Sequence, residues 1–399
     1  VGGDSIVAFT AVQRTTTPYE KKVPQMHVVG SKIYYVWAEK ESYPYGPFQI
    51  WTAEMNIDGS GFVATKRTTT PNSKYSPQMQ VVGSKIYYVW EEHGSYDIET
   101  AKMNIDGSGL AVTHRENGGY NLHPQLHVVS DTIHYVWRQS STGTGAGNDE
   151  IYTAETSLGG LGFSPTRRTF TGKTKYYPQL QVVGGRAYYA WDGEDSSQYQ
   201  HIWTANMQLD IHLFEDFQWT LGTGDERYPQ LQVVNDKIYY VYEKQGIVTA
   251  ESDTPMTYFS NTQRTSGFYS PYPQLQVVGS KIYYVWARSV FGVYTLWTAE
   301  MNIDGSNFVA TQRTAGSGLT SNGLSPQLQV VGSKIYYVWQ EPDSSGIYQI
   351  WTATLDIEST LNLKYWDGSQ WVQAQALRQW DGSAWVDVGL KYFDGAIWK

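Results

Sequence analysis

The chain predicts an all-β fold: a seven-bladed β-propeller closed by its own N-terminal strand, with a short C-terminal tail of β-hairpin repeats. Three observations carry this expectation. A phrase whose purest copy is PQLQVVGSKIYYVW begins at Pro24, Pro77, Pro124, Pro178, Pro229, Pro273 and Pro326, with spacings of 53, 47, 54, 51, 44 and 53 residues. Each of the first six units holds four β-rich runs, which is the content of one propeller blade. The last unit lacks a fourth run, and a matching segment stands at the start of the chain.

In the first unit, Gln25 to Val29 is followed by the pair Gly30-Ser31, which suits a two-residue hairpin with positive φ at its first position. Copies without Gly-Ser keep equivalents: Ser130-Asp131, Gly184-Gly185 and Asn235-Asp236. The proline opening each phrase is read as the head of a strand, where its missing N–H is tolerated. The second run, Ile33-Tyr34-Tyr35-Val36-Trp37, does not alternate polar with apolar residues. Such a run fits a strand covered on both faces, as in a blade between two neighbours. The third run, Ile50 to Met55, leads into Asp58-Gly59, read as a tight hairpin with positive φ at both residues. The fourth run, Phe62 to Thr69, ends in Arg67-Thr68. Val7 to Thr15 matches that fourth run and is expected to complete the seventh blade, leaving no open sheet edge. The propeller is placed at residues 1–358 and the tail at 359–399.

Composition narrows the function. The 399 residues carry 41% hydrophobic and 15% aromatic side chains, ample for a core, and a formal charge of −9 with no basic cluster, which argues against a nucleic-acid partner. No apolar run is long enough to span a bilayer as a helix, so membrane insertion is not expected. Cysteine is absent, which excludes disulfides, thiolate catalysis and cysteine metal sites.

In a four-stranded meander the first-to-second and third-to-fourth turns share one rim, where this chain is monotonous. The second-to-third loops and the blade crossings share the other, where it varies. Binding residues are carried on variable loops over a rigid scaffold, so the site is expected on that second rim. Tyrosines and carboxylates there suit a polar, ring-shaped ligand such as a sugar, the phenol offering both apolar area and a hydroxyl. The candidate ligand-binding residues are Tyr43, Tyr45, Glu92, Tyr96, Asp192, Tyr199, Tyr228, Tyr272 and Tyr348.

Other repeated features read as scaffold. The paired glutamines, such as Gln274 and Gln276, are expected to form amide rings around the channel and to bond between blades; Arg14, Arg67, Arg168, Arg264 and Arg313 read as solvated charges on outer sheet edges. Asn56 to Gly61 begins like a calcium loop, but Ala64 and Arg67 stand where ligands would complete the shell, so a plain turn is preferred and no metal or cofactor is expected. The chain has no Gly-x-Ser-x-Gly, His-Glu-x-x-His or phosphate-binding glycine loop. Catalysis is therefore not the leading expectation.

The hairpin IWTAEMNIDGSGFVATKRT (Ile50 to Thr68) resembles the repeats of TolB-type propellers, whereas the PQLQVVGSKIYYVW phrase departs from that family; the resemblance supports the fold and carries no function over. From Leu363 the tail reads LKYWDGSQW, LRQWDGSAW and LKYFDGAIW, tandem repeats similar to those of bacteriophage tail, fibre and other virion proteins and of some bacterial surface proteins. This resemblance implies a particle-borne or surface-borne protein, extracellular or on a virion. Units so small cannot bury their own aromatic residues. Trp366, Trp371, Trp380, Trp385, Phe393 and Trp398 are thus expected to form an assembly interface with other subunits. The functional expectation is a non-enzymatic recognition or adhesion module for a surface glycan or glycoprotein. The alternatives are a polysaccharide-degrading lyase or glycosidase, or a decoration protein without a ligand.

Overall fold

The computed structural model describes residues 9–42, 45–115, 118–140, 149–220, 223–254, 256, 258–316 and 323–357, together with the strand backbones at 364–366, 371–373, 378–380 and 385–387. It forms two compact units, one spanning Ala8–Leu355 and the other containing the C-terminal hairpins. The larger is an all-β, seven-bladed propeller of seven four-stranded antiparallel sheets. Blade 1 runs Lys21–Val29, Lys32–Lys40, Phe48–Asn56 and Val63–Lys66, from the axis outward, and the other blades repeat that order.

Closure follows the sequence expectation. Val12–Gln13 pairs with Tyr348–Asp356 through Val12↔Thr352 and Gln13↔Trp351, completing blade 7. Phe9 stacks 6.0 Å from Trp339, as Phe62 does on Trp37 at 6.4 Å and Phe163 on Trp137 at 5.9 Å.

Burial explains why the second strand is apolar throughout. Ile33, Tyr35 and Trp37 pack with Tyr336 and Val338 of blade 7, while Tyr34 and Val36 pack with Val81, Ile86 and Tyr88 of blade 2. Alternate residues point to opposite faces, and each face meets a neighbouring blade. Each fully buried aromatic or branched side chain contributes roughly 1.5–3 kcal/mol.

The first turn of every blade has the expected conformation, with φ between 52° and 60° at Gly30, Gly83, Ser130, Gly184, Asn235, Gly279 and Gly332. Three sequence expectations are corrected. Asp58 does not adopt positive φ; only Gly59 and Gly61 do, because the loop is longer, with Gly59 N–H donating to Asn56 O and Asp58 Oδ1 accepting from Ser60 N–H and Oγ–H. The prolines do not head their strands in blades 1 to 5. There the strand continues about three residues earlier, and the ladder skips at the proline, as between Lys22 and Gln25. Proline lacks the ladder donor, so the axial edge strand bulges around it.

The third correction concerns the arginines: Arg14, Arg67 and Arg264 are blade-to-blade staples rather than solvated edge charges, while Arg168 and Arg313 donate Nε–H to Thr153 and Thr298 of their own blades. Arg67 Nε donates to Thr52 Oγ1 at 2.7 Å and Nη1 to Gly107 O of the next blade at 3.0 Å. Arg14, Arg115 and Arg264 make the same pair of bonds. Blade 4 has Trp219 at this position, whose Nε1–H donates to Thr204 Oγ1.

In the smaller unit, Lys364–Trp366 pairs with Trp371–Gln373 and Arg378–Trp380 with Trp385–Asp387, placing Trp366 opposite Trp371 and Trp380 opposite Trp385 along the backbone. Phe393 and Trp398 lie outside the described residues.

Candidate functional site

The two glutamines of each phrase have different fates. The second, or the histidine replacing it, accepts the N–H of a valine in the next blade: His27 from Val81, Gln80 from Val128, His127 from Val182, Gln181 from Val233, Gln232 from Val277, Gln276 from Val330 and Gln329 from Val28. These seven bonds, 2.5–3.0 Å long, form a complete circuit. The first glutamines, Gln25, Gln78, Gln125, Gln179, Gln230, Gln274 and Gln327, line an axial cavity of about 290 Å³.

The rest of the cavity wall is the residue before each proline: Val23, Ser76, His123, Tyr177, Tyr228, Tyr272 and Ser325. All seven adopt left-handed φ, between 43° and 56°. That conformation costs a non-glycine residue on the order of 1 kcal/mol or more, so the bulges concentrate backbone strain at the axial wall. This wall lies where the innermost strands begin, the same end of the blades as the second-to-third loops.

Four of the fourteen lining residues are aromatic: His123, Tyr177, Tyr228 and Tyr272. Tyr228 lies between Tyr177 and Tyr272, with ring centroids 4.6 Å from each, and His123 packs 4.5 Å from Tyr177. The hydroxyls of Tyr228 and Tyr269 are 2.7 Å apart. Burial raises the phenols of Tyr177 and Tyr228 far above their ordinary range, and that of Tyr269 to about 12. Burial also lowers His123 to about 4. Behind the wall, the fully buried Asp192 accepts the Tyr228 N–H at 3.3 Å, and its desolvation raises its carboxyl well above the carboxylate range. At neutral pH the cavity therefore presents amides, hydroxyls, protonated phenols and a neutral imidazole. None of its lining residues carries a carboxylate.

Among the sequence candidates, Tyr228 and Tyr272 line this cavity and Asp192 supports it. Tyr96 lies apart, in a file of rings from Phe48 through Tyr75, His93 and Tyr96 to Tyr120 whose successive centroids are 4.1–5.5 Å apart. Tyr45 is 94% exposed and Tyr199 is 38% exposed on loops of blades 1 and 4. Tyr348 is buried where the third strand of blade 7 begins, and Tyr43 lies outside the described residues.

Glu92 is buried beside Lys74 at 3.4 Å and accepts from Ser95 N–H and Oγ–H. Burial opposes its ionisation, but the two Ser95 bonds and Lys74 outweigh it and hold the group at about 2. The sequence reading did not select Tyr177, His123 or the first glutamines as site residues. Their signal was the position itself, one residue before or one after the repeated proline.

No protein-family model matches the chain, and no curated protein matches it by sequence. Solved structures share its fold. The phage phi92 endosialidase matches with a TM-score of 0.53 and 11% identity, over 98% of this chain and 76% of that one. Oligogalacturonate lyase in complex with manganese gives 0.56 and 12%, over 88% and 96%. The polysaccharide lyase Uly1 gives 0.53 and 8%, over 84% and 89%. Identities this low establish the propeller and nothing more.

Proposed function

We propose that this propeller recognises a glycan through its axial cavity, as a binding module rather than an enzyme. The observation that carries the reading is the ring of seven glutamine amides faced by Tyr177, Tyr228 and Tyr272. Each amide both donates and accepts, and the protonated phenols add hydroxyls and apolar faces, a combination matched to an uncharged ring bearing hydroxyl groups. Hydrolysis by paired carboxylates would need two acids across the cleft, which the cavity wall does not supply. The propeller fold is also used by proteins named as an endosialidase, a polysaccharide lyase and an oligogalacturonate lyase, which supports a saccharide as the ligand class.

The wider setting rests on the tail. Its Trp-Asp-Gly-Ser repeats support attachment of residues 359–399 to other subunits of a virion or extracellular appendage, with the tail aromatic residues as the contact.

A glycan array run beside a reducing-end assay on the same polysaccharides tests the main reading. Binding without product is expected, and Tyr228→Phe, which removes one hydroxyl, should weaken it about threefold to tenfold. Product release would overturn the binding-only reading. Binding unchanged in both Tyr228→Phe and Gln179→Ala would remove the ligand from the axial cavity.

A further inference from the structure

The axial cavity is closed on its sides. Each of the seven blades contributes two of the fourteen lining residues, so the wall runs without a gap around the axis. Next to it, the seven bonds from each second glutamine or histidine to a valine of the next blade make a continuous belt. Parting two blades would leave a buried valine N–H unpaired, at about 1–3 kcal/mol, and would also expose their apolar seam. A ligand therefore reaches the cavity along the axis.

The wall is lopsided. Consecutive blades 3 to 6 place His123, Tyr177, Tyr228 and Tyr272 on it, whereas blades 7, 1 and 2 place Ser325, Val23 and Ser76. The rings hold one another, with Tyr177 and Tyr272 6.2 Å apart on either side of Tyr228. The aromatic arc ends against blade 7, where a Cβ on Gly323 would lie 2.7 Å from Tyr272 Cε2. On the other arc the largest lining side chains are the amides of Gln327, Gln25 and Gln78.

Size and shape then set what fits. At about 290 Å³ the cavity is at the lower edge of the roughly 300–1,000 Å³ of small-molecule sites, room for one pyranose ring rather than a row of them. An internal residue of a polysaccharide carries a linkage on either side, and both would have to turn back through one mouth. A terminal residue carries one.

We infer that the axial site reads the end of a neutral glycan chain, a single terminal residue entering along the axis with its apolar side toward the aromatic arc and its hydroxyls toward the amides of blades 7, 1 and 2. This rests on the glycan reading of the cavity and narrows it from polysaccharides at large to their chain ends. No lysine or arginine lines the wall, and burial keeps His123 uncharged at neutral pH. A uronate or sialate terminus would be buried there without a counter-charge, so the site excludes it.

The test uses the full chain and the neutral glucans, mannans and galactans of the glycan array, each intact and after partial acid hydrolysis. For a polymer that binds, shortening to a tenth of its length should strengthen competition at equal mass about tenfold, because ends rather than mass are counted. Conversion of the reducing ends to alditols then assigns the end: loss of that gain marks the reducing end, and its retention marks the non-reducing end. Oligosaccharides ending in a uronate or sialate should not compete, and competition by them would overturn the neutral class. Val23→Tyr puts into the open arc the side chain that blades 4 to 6 carry at the same point in the same left-handed backbone, φ 51° beside 47–56°. It should lower affinity about tenfold or more with the melting curve kept. Should that variant fail to fold, Ser325→Tyr, at φ 43°, carries the same test. Competition that tracks mass whatever the chain length would overturn end recognition and leave the glycan reading standing. Affinity unchanged in both tyrosine variants would put the ligand outside the open arc and overturn it as well. Silence from every polymer and every hydrolysate would take the glycan reading down with it.

Discussion

Gln179 and Gln181 leave the same strand two residues apart, yet they serve different parts of the molecule. Gln181 accepts the Val233 N–H at 2.5 Å and belongs to the seam between blades 4 and 5, whereas Gln179 lines the axial cavity. The contrast holds around the whole ring. Every second position closes an inter-blade bond, and where it is histidine, at His27 and His127, the acceptor is kept. Every first position faces the axis beside a strained residue. Repetition alone thus does not separate scaffold from site. A glutamine whose bond closes onto the next blade is scaffold; one that faces the cavity, as Gln179 does with a single 3.4 Å bond back to Tyr177 O, still presents its amide to a ligand.

The largest way to break the seam is to open the ring. Removing residues 1–22 deletes the Val12–Gln13 strand with Arg14 and Thr15, which together make five bonds to blades 7 and 1. At about 1 kcal/mol each these account for on the order of 5 kcal/mol. Aggregation or a large fall in melting temperature is expected, and an unchanged melting curve would mean that the strand does not hold the ring.

The two glutamines supply the next test. Gln181→Ala leaves a buried valine N–H without its acceptor and should cost about 1–3 kcal/mol in denaturant melts, with ligand binding kept. Gln179→Ala should move stability by only about 0.5 kcal/mol while weakening glycan binding. The reverse pattern would exchange the roles assigned to them.

Much of the fold was legible because it is written in repeated local chemistry. The seven prolines set the blades, the two-residue turns set the hairpins, and the Val7 to Thr15 match placed the closing strand. The site was legible only in part. Tyr228 and Tyr272 could be chosen from their place in the crossings, but the turning of Gln179 and Gln181 to different neighbours depends on the bulge at Pro178, which no pattern of polar and apolar residues encodes. The arginines misled for a related reason. Their partners are carbonyls such as Gly59 O and Gly107 O in the next blade, and a carbonyl leaves no trace in the sequence.

The smallest effect, and the sharpest for the seam, is its dependence on pH. His127 accepts the Val182 N–H through Nδ1 at 3.0 Å, which requires that nitrogen to be unprotonated, and burial lowers the histidine to about 4 from an ordinary 6.5. Between those values the unfolded chain holds more protons on this residue than the folded one, so its contribution to stability rises with pH. The contribution is complete above about 6.5 and is lost as the pH falls toward 4. His127→Gln keeps an acceptor for Val182 and removes the titration, copying the seam that Gln181 makes with Val233. Near neutral pH the variant should melt within about 0.5 kcal/mol of the native chain. Below the ordinary histidine range it should be the more stable of the two, by a margin that grows on acidification. Buried acids such as Asp192 and Glu243 titrate in both proteins and cancel in the comparison. Melting curves of the pair, one set at neutral pH and one between the two histidine values, decide the matter: a difference that does not change with pH would mean that His127 is not a titrating member of the seam.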